Sequence, residues 1–310
     1  MLGLSFKWCL PKSRNSTPHY DFDQDIDLHQ VTYTYSPRTP FEFKALHRST
    51  TIFPKGQVTG IIGATGSGKS TLIQLINGLL IPSSGEVRIG NYHLSAKTKR
   101  VPAVKQLRKE INLVFQFPEY QLFNETVEKD IAFGPIHLGE PKLKVLRAVP
   151  KYMEMVGLAK NLRDRSPFEL SGGQKRRVAI AGILAMEGNT LVLDEPTGGL
   201  DPQGESEFLK LFSRLNREND KRIIMISHNM DHILEIADKV VVMDQGKIIK
   251  EGTPFEIFGN ESLLKKLEIE PPKIYQLLYE MRKQGLDYTK TPVRNIKDFA
   301  KFYAQHHKED

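Results

Sequence analysis

The plainest chemistry in this chain lies in Gly63, Ala64, Thr65, Gly66, Ser67, Gly68, Lys69, Ser70 and Thr71. Glycines stand where a backbone must turn through positive φ, and a lysine is followed by two hydroxyls. Such a turn aims successive N–H groups into one concavity. A helix that follows adds its free N–H groups and its positive dipole end. Lys69 can then reach the β and γ phosphates of a nucleotide, and the Ser70 hydroxyl can ligate Mg2+. A second centre is Asp194-Glu195, two adjacent carboxylates at the end of the run Thr190-Leu191-Val192-Leu193. Asp194 can hold the metal directly or through water, while Glu195 can orient or deprotonate an attacking water. His228 ends the run from Arg222 to Ser227 and can bond the γ phosphate and that water. Alone, a histidine at a strand end is ordinary; its weight comes from its company.

Each of these groups needs an element to place it. Val58-Thr59-Gly60-Ile61-Ile62 reads as a buried strand entering the loop, and a helix leaves the loop and runs to about Leu79. Ile111 to Phe115 reads as a second core strand with Gln116 at its carboxyl end, where ligands of open α/β sheets gather. The Gln116 amide can touch Mg2+ or water there; taken alone it is also an ordinary loop glutamine. Ser171, Gly172, Gly173 and Gln174 open an amphipathic helix and are either a second anion site or a helix cap. Two glycines at that start carry an entropy cost that a bare cap does not require.

Gly198-Gly199-Leu200-Asp201-Pro202 turns into a helix expected over Gln203 to Leu215, and two strands flank a Gln245-Gly246 turn. Leu28 to Tyr35 and the stretch from Phe41 read as an antiparallel pair beside the core. Tyr35 either stacks on an adenine ring or is, like Tyr33, a core aromatic. Residues 123–185 read as helices broken at Gly134-Pro135, at Gly139 with Pro141, and at Pro167. The tail reads as helices over 262–284 and 296–307, split by Thr291-Pro292, whose apolar face either covers the core or meets a partner.

Bulk properties set outer bounds. The chain has 310 residues, 39% hydrophobic and 26% charged, enough apolar material for a large folded core. No apolar run approaches the roughly 18 residues needed to span a bilayer. The net charge of +7 suits nucleic acid, anionic lipid or a protein partner, and does not choose among them. The basic stretch 93–109 lacks interleaved aromatics for base stacking and reads as a solvated face. A single cysteine, Cys9, rules out an internal disulfide and fits a reducing compartment. Residues 1–27 read as an N-terminal arm, either loose or a short docking peptide.

Together these motifs resemble the ATP-binding subunits of ABC transporters. The loop Gly63 to Ser70, Gln116, the run Leu170-Ser171-Gly172-Gly173-Gln174, Asp194-Glu195, Asp201 and His228 carry the resemblance. Tyr33-Thr34-Tyr35, Phe115-Gln116-Phe117-Pro118-Glu119-Tyr120-Gln121-Leu122-Phe123, Thr126 to Pro135 and Pro271-Pro272-Lys273-Ile274-Tyr275 are similar to the energy-coupling factor transporter ATPases, in the second-paralogue pattern.

The resemblance implies an α/β fold: a P-loop, RecA-like core with an antiparallel β subdomain, a helical signature subdomain over about 120–185 and a C-terminal helical tail. The ATPase domain is expected over 28–258 and the helical extension over 259–310. ATP and Mg2+ are implied, the metal at Ser70, Gln116 and Asp194. The resemblance further implies nucleotide contacts from Tyr35, the loop Gly63 to Thr71, Ser171 to Gln174 and Asp201, and catalytic roles for Glu195, His228, Lys69 and Gln116.

Implied partners are a paralogous ATPase in a head-to-tail pair, a transmembrane coupling protein and a substrate-binding membrane protein. No nucleic acid is expected, and the site of action would be the cytoplasmic side of the cell membrane. The function implied is energising import of vitamins or transition-metal ions. One departure is Gly198-Gly199, where the family often has a small non-glycine residue. A soluble ABC ATPase acting on ribosomes or nucleic acid is the second reading, supported only by the charge. A low-turnover nucleotide scaffold is the third, and intact Glu195 and His228 argue against it.

Overall fold

The structure is a computed structural model that describes residues 20–288 and 291–306. Its centre is a six-stranded sheet built from β3 (Val58–Ile62), β6 (Ile111–Val114), β7 (Thr190–Asp194), β8 (Arg222–Ile226), β9 (Lys239–Asp244) and β10 (Lys247–Gly252), in spatial order β10-β9-β3-β8-β7-β6. The first five strands run parallel, and β10 returns antiparallel through the Gln245-Gly246 turn. The sheet is apolar on both faces, as a parallel sheet covered on both sides must be. Ile61, Val192, Ile224 and Val241 face one core, whereas Ile62, Leu193, Met225 and Val242 face the other.

The first core is closed by α1 (Lys69–Ile76) and a four-stranded antiparallel sheet. That sheet contains β1 (Ile26–Tyr35), β2 (Phe43–Phe53), β4 (Ser84–Ile89) and β5 (Tyr92–Ser95), in spatial order β2-β1-β4-β5. The second core is closed by helices. α3 (Val127–His137), α4 (Lys142–Met155) and α5 (Gly172–Leu184) form the helical subdomain, while α2 (Val104–Glu110), whose Leu107 packs in the first core, leads into β6. α6 (Pro202–Asn219) joins β7 to β8, and α7 (Met230–Ile236) joins β8 to β9. The tail adds α8 (Pro254–Phe258), α9 (Glu261–Lys266), α10 (Lys273–Lys283) and α11 (Ile296–His306).

This is the expected P-loop core with its antiparallel and helical subdomains and helical tail. Several local expectations change. α1 ends at Ile76 rather than near Leu79, because Gly78 takes φ 69° and the Leu79 N–H turns back to the Gln74 carbonyl. α3 is not broken at Gly134-Pro135. Gly134 lets the helix approach the end of α5: an added Cβ would lie 3.1 Å from the sulfur of Met186, two residues past that end, and this packing outweighs one missing N–H.

α6 runs on to Asn219, four residues past the expected end. The tail helix expected over 262–284 is two helices, parted where Glu268 adopts φ 54° and Pro271-Pro272 follow. Tyr275, Leu278, Tyr279 and Phe302 of the tail are buried in the helical core, so its apolar face does cover the fold. Residues 1–19 of the expected arm lie outside the described residues. Phe22 and Ile26 are buried in the first core, and Asp25 accepts the Lys55 N–H at 2.7 Å.

Candidate functional site

The phosphate-binding turn is shaped by what surrounds each glycine. Gly63 has φ 148°, and a Cβ there would fall 2.1 Å from the Met243 carbonyl oxygen. Gly68 has φ 98°, and a Cβ there would fall 2.7 Å from the Ala45 oxygen. Gly66, at φ 80°, meets nothing within 4 Å: it faces the open side of the turn. The loop is therefore fixed against β2 and β9 on one side and bare on the other.

Lys69 begins α1 and is 7% exposed. Its Nζ donates to the carbonyls of Gly63 at 2.7 Å and Ala64 at 2.8 Å, so the lysine folds back over its own loop. Burial lowers its pKa, while Glu195 and Asp194 partly oppose that. Ser67 Oγ is buried without a hydrogen-bond partner, an orphan that a ligand in the turn can satisfy.

Open to the bare side is a cleft of about 330 Å³. Thr65, Gly66, Gly68, Lys69, Ser70 and Thr71 form its floor. Gln116, Asp194, Glu195 and His228 reach it from the carboxyl ends of β6, β7 and β8. Phe43 and Ala45 of β2 form its rim.

Burial raises the Asp194 pKa, opposed by the nearby Ser70 side chain, by Lys69 and by His228. Glu195 sits in the left-handed region at φ 50°, its N–H held by the Ile226 carbonyl at 3.1 Å. That turn swings its carboxylate off the strand direction and toward His228, with Nε2 of His228 3.6 Å from Oε1 of Glu195. Oε1 is buried with no hydrogen bond. Burial pushes the Glu195 pKa up to about 7, whereas His228 is lowered by burial and by Lys69.

The donor set suits a hard cation. Among the described residues no cluster of three or more His, Cys, Asp or Glu can hold a metal. A serine hydroxyl, an amide and one carboxylate suit an ion that takes its remaining oxygens from phosphate and water, as Mg2+ does. The open glycine cradle and the unpartnered Ser67 hydroxyl fit the phosphates themselves.

Other expected nucleotide residues lie outside this cleft. Tyr35 is half-buried, edge-on to Tyr33 at 4.8 Å, with its hydroxyl 3.2 Å from Thr71 Oγ1. Its cross-strand neighbour Phe43 lines the cleft instead, 59% exposed. Sequence reading missed Phe43, which carried no signal beyond lying at a strand start.

Ser171 caps α5 in a reciprocal box with Gln174: the Gln174 N–H donates to Ser171 Oγ at 3.3 Å and the Ser171 N–H donates to Gln174 Oε1 at 3.0 Å. A Cβ on Gly172 would meet nothing within 4 Å, and one on Gly173 only Leu200 at 3.9 Å. Neither glycine is demanded by packing within this chain; both leave a helix N-terminus bare to an outside surface. Asp201 caps α6, accepting the Gly204 N–H at 2.7 Å. Neither Asp201 nor the Ser171–Gln174 loop borders the phosphate cleft.

A buried arginine joins two further parts. Arg176 is 3% exposed; its Nε lies 3.1 Å from Glu119 Oε2 and its guanidinium also donates to the Gly198 carbonyl. It ties the segment after Gln116 to the loop before Asp201. That segment exposes Phe117, Tyr120 and Phe123.

Sequence and structure comparisons agree with this geometry. A model of the ABC transporter family matches residues 46–198. The energy-coupling factor transporter ATP-binding protein EcfA2 of Mycoplasma capricolum is 59% identical over 285 residues, 92% of this chain and 99% of that protein. The chain belongs to the energy-coupling factor transporter ATP-binding proteins.

Solved structures of ABC ATPases share its fold. A cbiO1 from Clostridium perfringens, described as part of the ABC transporter complex cbiONQ, superposes with a TM-score of 0.67 at 37% identity, covering 83% of this chain and 99% of that one. The ATP-binding cassette MJ0796, in a dimeric post-hydrolysis state bound to ADP and Pi, gives 0.65 at 27% identity over 74% of this chain and 98% of that one.

Proposed function

We propose that this energy-coupling factor ATPase hydrolyses ATP to drive an importer of vitamins or transition-metal ions, paired head-to-tail with a paralogous ATPase and docked on a transmembrane coupling protein that carries a substrate-binding membrane protein. The ATPase domain is residues 28–258, with its helical subdomain over about 120–185, and residues 259–310 form the extension. One observation carries the reading: the phosphate cleft gathers Lys69, Ser70, Gln116, Asp194, Glu195 and His228, while the glycine-rich start of α5 lies outside it with nothing to bind. A site split this way is completed by a second subunit. The relatives' names, with cbiO1 described within a transporter complex and MJ0796 described as dimeric, support pairing and membrane partners. Among the described residues no helix is long and apolar enough to cross a membrane. In this reading the partners hold the chain on the cytoplasmic side of the cell membrane.

The chemistry follows from placement. Phosphoryl transfer to water asks mainly for positioning and for charge stabilisation. Backbone N–H groups of the glycine turn and the Lys69 ammonium hold the phosphates, with Lys69 exchanging its two loop carbonyls for phosphate oxygens. Ser70, Gln116 and Asp194 would hold Mg2+, which when bound neutralises charge on the β and γ phosphates. Glu195 accepts the proton of the attacking water, and its elevated pKa makes it an effective base near neutrality. His228, kept neutral by its lowered pKa, bonds the γ phosphate and holds the water.

Ser171 to Gln174, with Asp201 beside them, serve the partner's ATP through the free N–H groups of α5. Phe117 to Phe123 meet the coupling protein, and Arg176 carries their displacement to Gly198. The test is the assembled membrane complex purified with E195Q in this chain: ATP still binds, and steady hydrolysis at this site nearly stops. Undiminished hydrolysis and uptake by that complex would remove the proposal.

A further inference from the structure

Next to the Glu195–His228 cleft lies a polar junction that none of the roles above uses. At its centre is His232 on α7, 8% exposed. Its Nδ1 lies 3.3 Å from Thr197 Oγ1. Its Nε2 lies 3.0 Å from Asn229 Nδ2 and 3.4 Å from Glu205 Oε2 on α6. Thr197 comes two residues after Glu195, and Asn229 directly follows His228. One imidazole therefore spans the two loops that carry the water-handling pair.

We infer that His232 is a positioning residue: as a neutral ring with its proton on Nδ1, it fixes the His228 loop against the Glu195 loop. Asn229 determines the tautomer. Its Oδ1 is occupied in capping α7, where it accepts the Asp231 N–H at 3.0 Å. Its amide nitrogen therefore faces the ring, and an amide N–H requires an acceptor. Nε2 must carry a lone pair, and Nδ1 must carry the proton that it donates to Thr197. The cap of α7 and the tautomer of His232 thus specify each other.

A proton added at Nε2 breaks this arrangement. Nε2–H would then meet the Asn229 NH2 donor to donor, and would be drawn to the Glu205 carboxylate. The amide must turn away, which uncaps α7 and frees the residue after His228. The charged and titratable groups facing this ring are Glu205 from α6, Asp231 on α7, Glu195 and His228 across the same cleft, Glu270 just before α10 and Lys273 at its start. Lys273 is itself tied in, its backbone N–H donating to Asp231 Oδ1 at 2.9 Å. The tail therefore braces the helix that carries the ring.

The inference rests on Glu195 and His228 acting as proposed, but its first readout does not depend on them. Nitrogen-15 NMR of the imidazoles in the nucleotide-free full chain, assigned with H232L, reads the tautomer directly. The expected state is a neutral ring with a protonated Nδ1 and a bare Nε2. A neutral ring protonated on Nε2 overturns the inference.

The second readout is ATP hydrolysis by the assembled complex. H232L should lower kcat about tenfold and shift KM for ATP by less than about twofold, since the ring touches no nucleotide-binding group. H232Q, whose amide oxygen can accept from Asn229, should recover most of the lost kcat. Wild-type kcat in H232L, or no rescue in H232Q, overturns the inference. Retained turnover in E195Q would instead overturn the site reading and leave the tautomer result standing.

Discussion

His228 Nε2 and Glu195 Oε1 face each other across 3.6 Å, too long for a direct hydrogen bond, with the carboxylate oxygen buried and unpaired. A base poised this way is not neutralised by its neighbour. Burial leaves Glu195 with a pKa near 7 while His228 is lowered. The carboxylate must be ionised to accept a proton, so kcat/KM for ATP should fall as pH drops below about 7 and level off above it. A pH–rate profile of the assembled complex checks this, and an acid limb near pH 4.5 would contradict it.

The same shift has a stability consequence of opposite sense. A carboxyl whose folded-state pKa is raised binds its proton more tightly folded than unfolded. Its favourable contribution is complete below the unfolded value of 4.5 and is lost as pH rises through about 7. E195Q, which never ionises, should therefore melt higher than the parent at pH 8, and the gap should close as pH falls toward 5. Thermal melts of the isolated chain without nucleotide or Mg2+ give the comparison; a gap independent of pH would contradict it.

Lys69 holds two loop carbonyls at 2.7 and 2.8 Å and is, among the described residues, the one ammonium lining the phosphate cleft. K69M keeps the buried stem but removes the charge. ATP binding should weaken by at least about tenfold, roughly the loss of one charge-assisted hydrogen bond, while the fold survives. Titration with a fluorescent ATP analogue, alongside a thermal melt, separates these effects.

The tail is part of the fold as well as an appendage. Leu278 is fully buried against the helical core. L278A should cost about 2–5 kcal/mol of stability, in the range of other buried leucine truncations. Urea unfolding of the full chain measures it, and an effect below about 0.5 kcal/mol would mean that the tail docks only weakly.

Much of the site was legible because its chemistry forces rare residue types into fixed places. The turn at Gly63, Gly66 and Gly68 needs positive φ, and the carboxylates at Asp194-Glu195 end an otherwise apolar strand. What escaped was decided by distant packing. Gly134-Pro135 reads as a break, but α3 runs through it, with Gly134 packed close to Met186. β5 escaped because Tyr92 and Leu94 carry too short an alternation to stand out, and only pairing with β4 defines it. Phe43, Arg176 and His232 have no local signature, since each matters through residues far away in the chain.

In the proposed assembly two polypeptides enclose one nucleotide. The most direct test is the structure of the assembled complex carrying E195Q, trapped with ATP. Lys69 of this chain and the signature serine of the neighbouring ATPase should contact the same γ phosphate, with Ser171 of this chain on the other nucleotide. Finding Lys69 and Ser171 of a single polypeptide on one ATP would contradict the account.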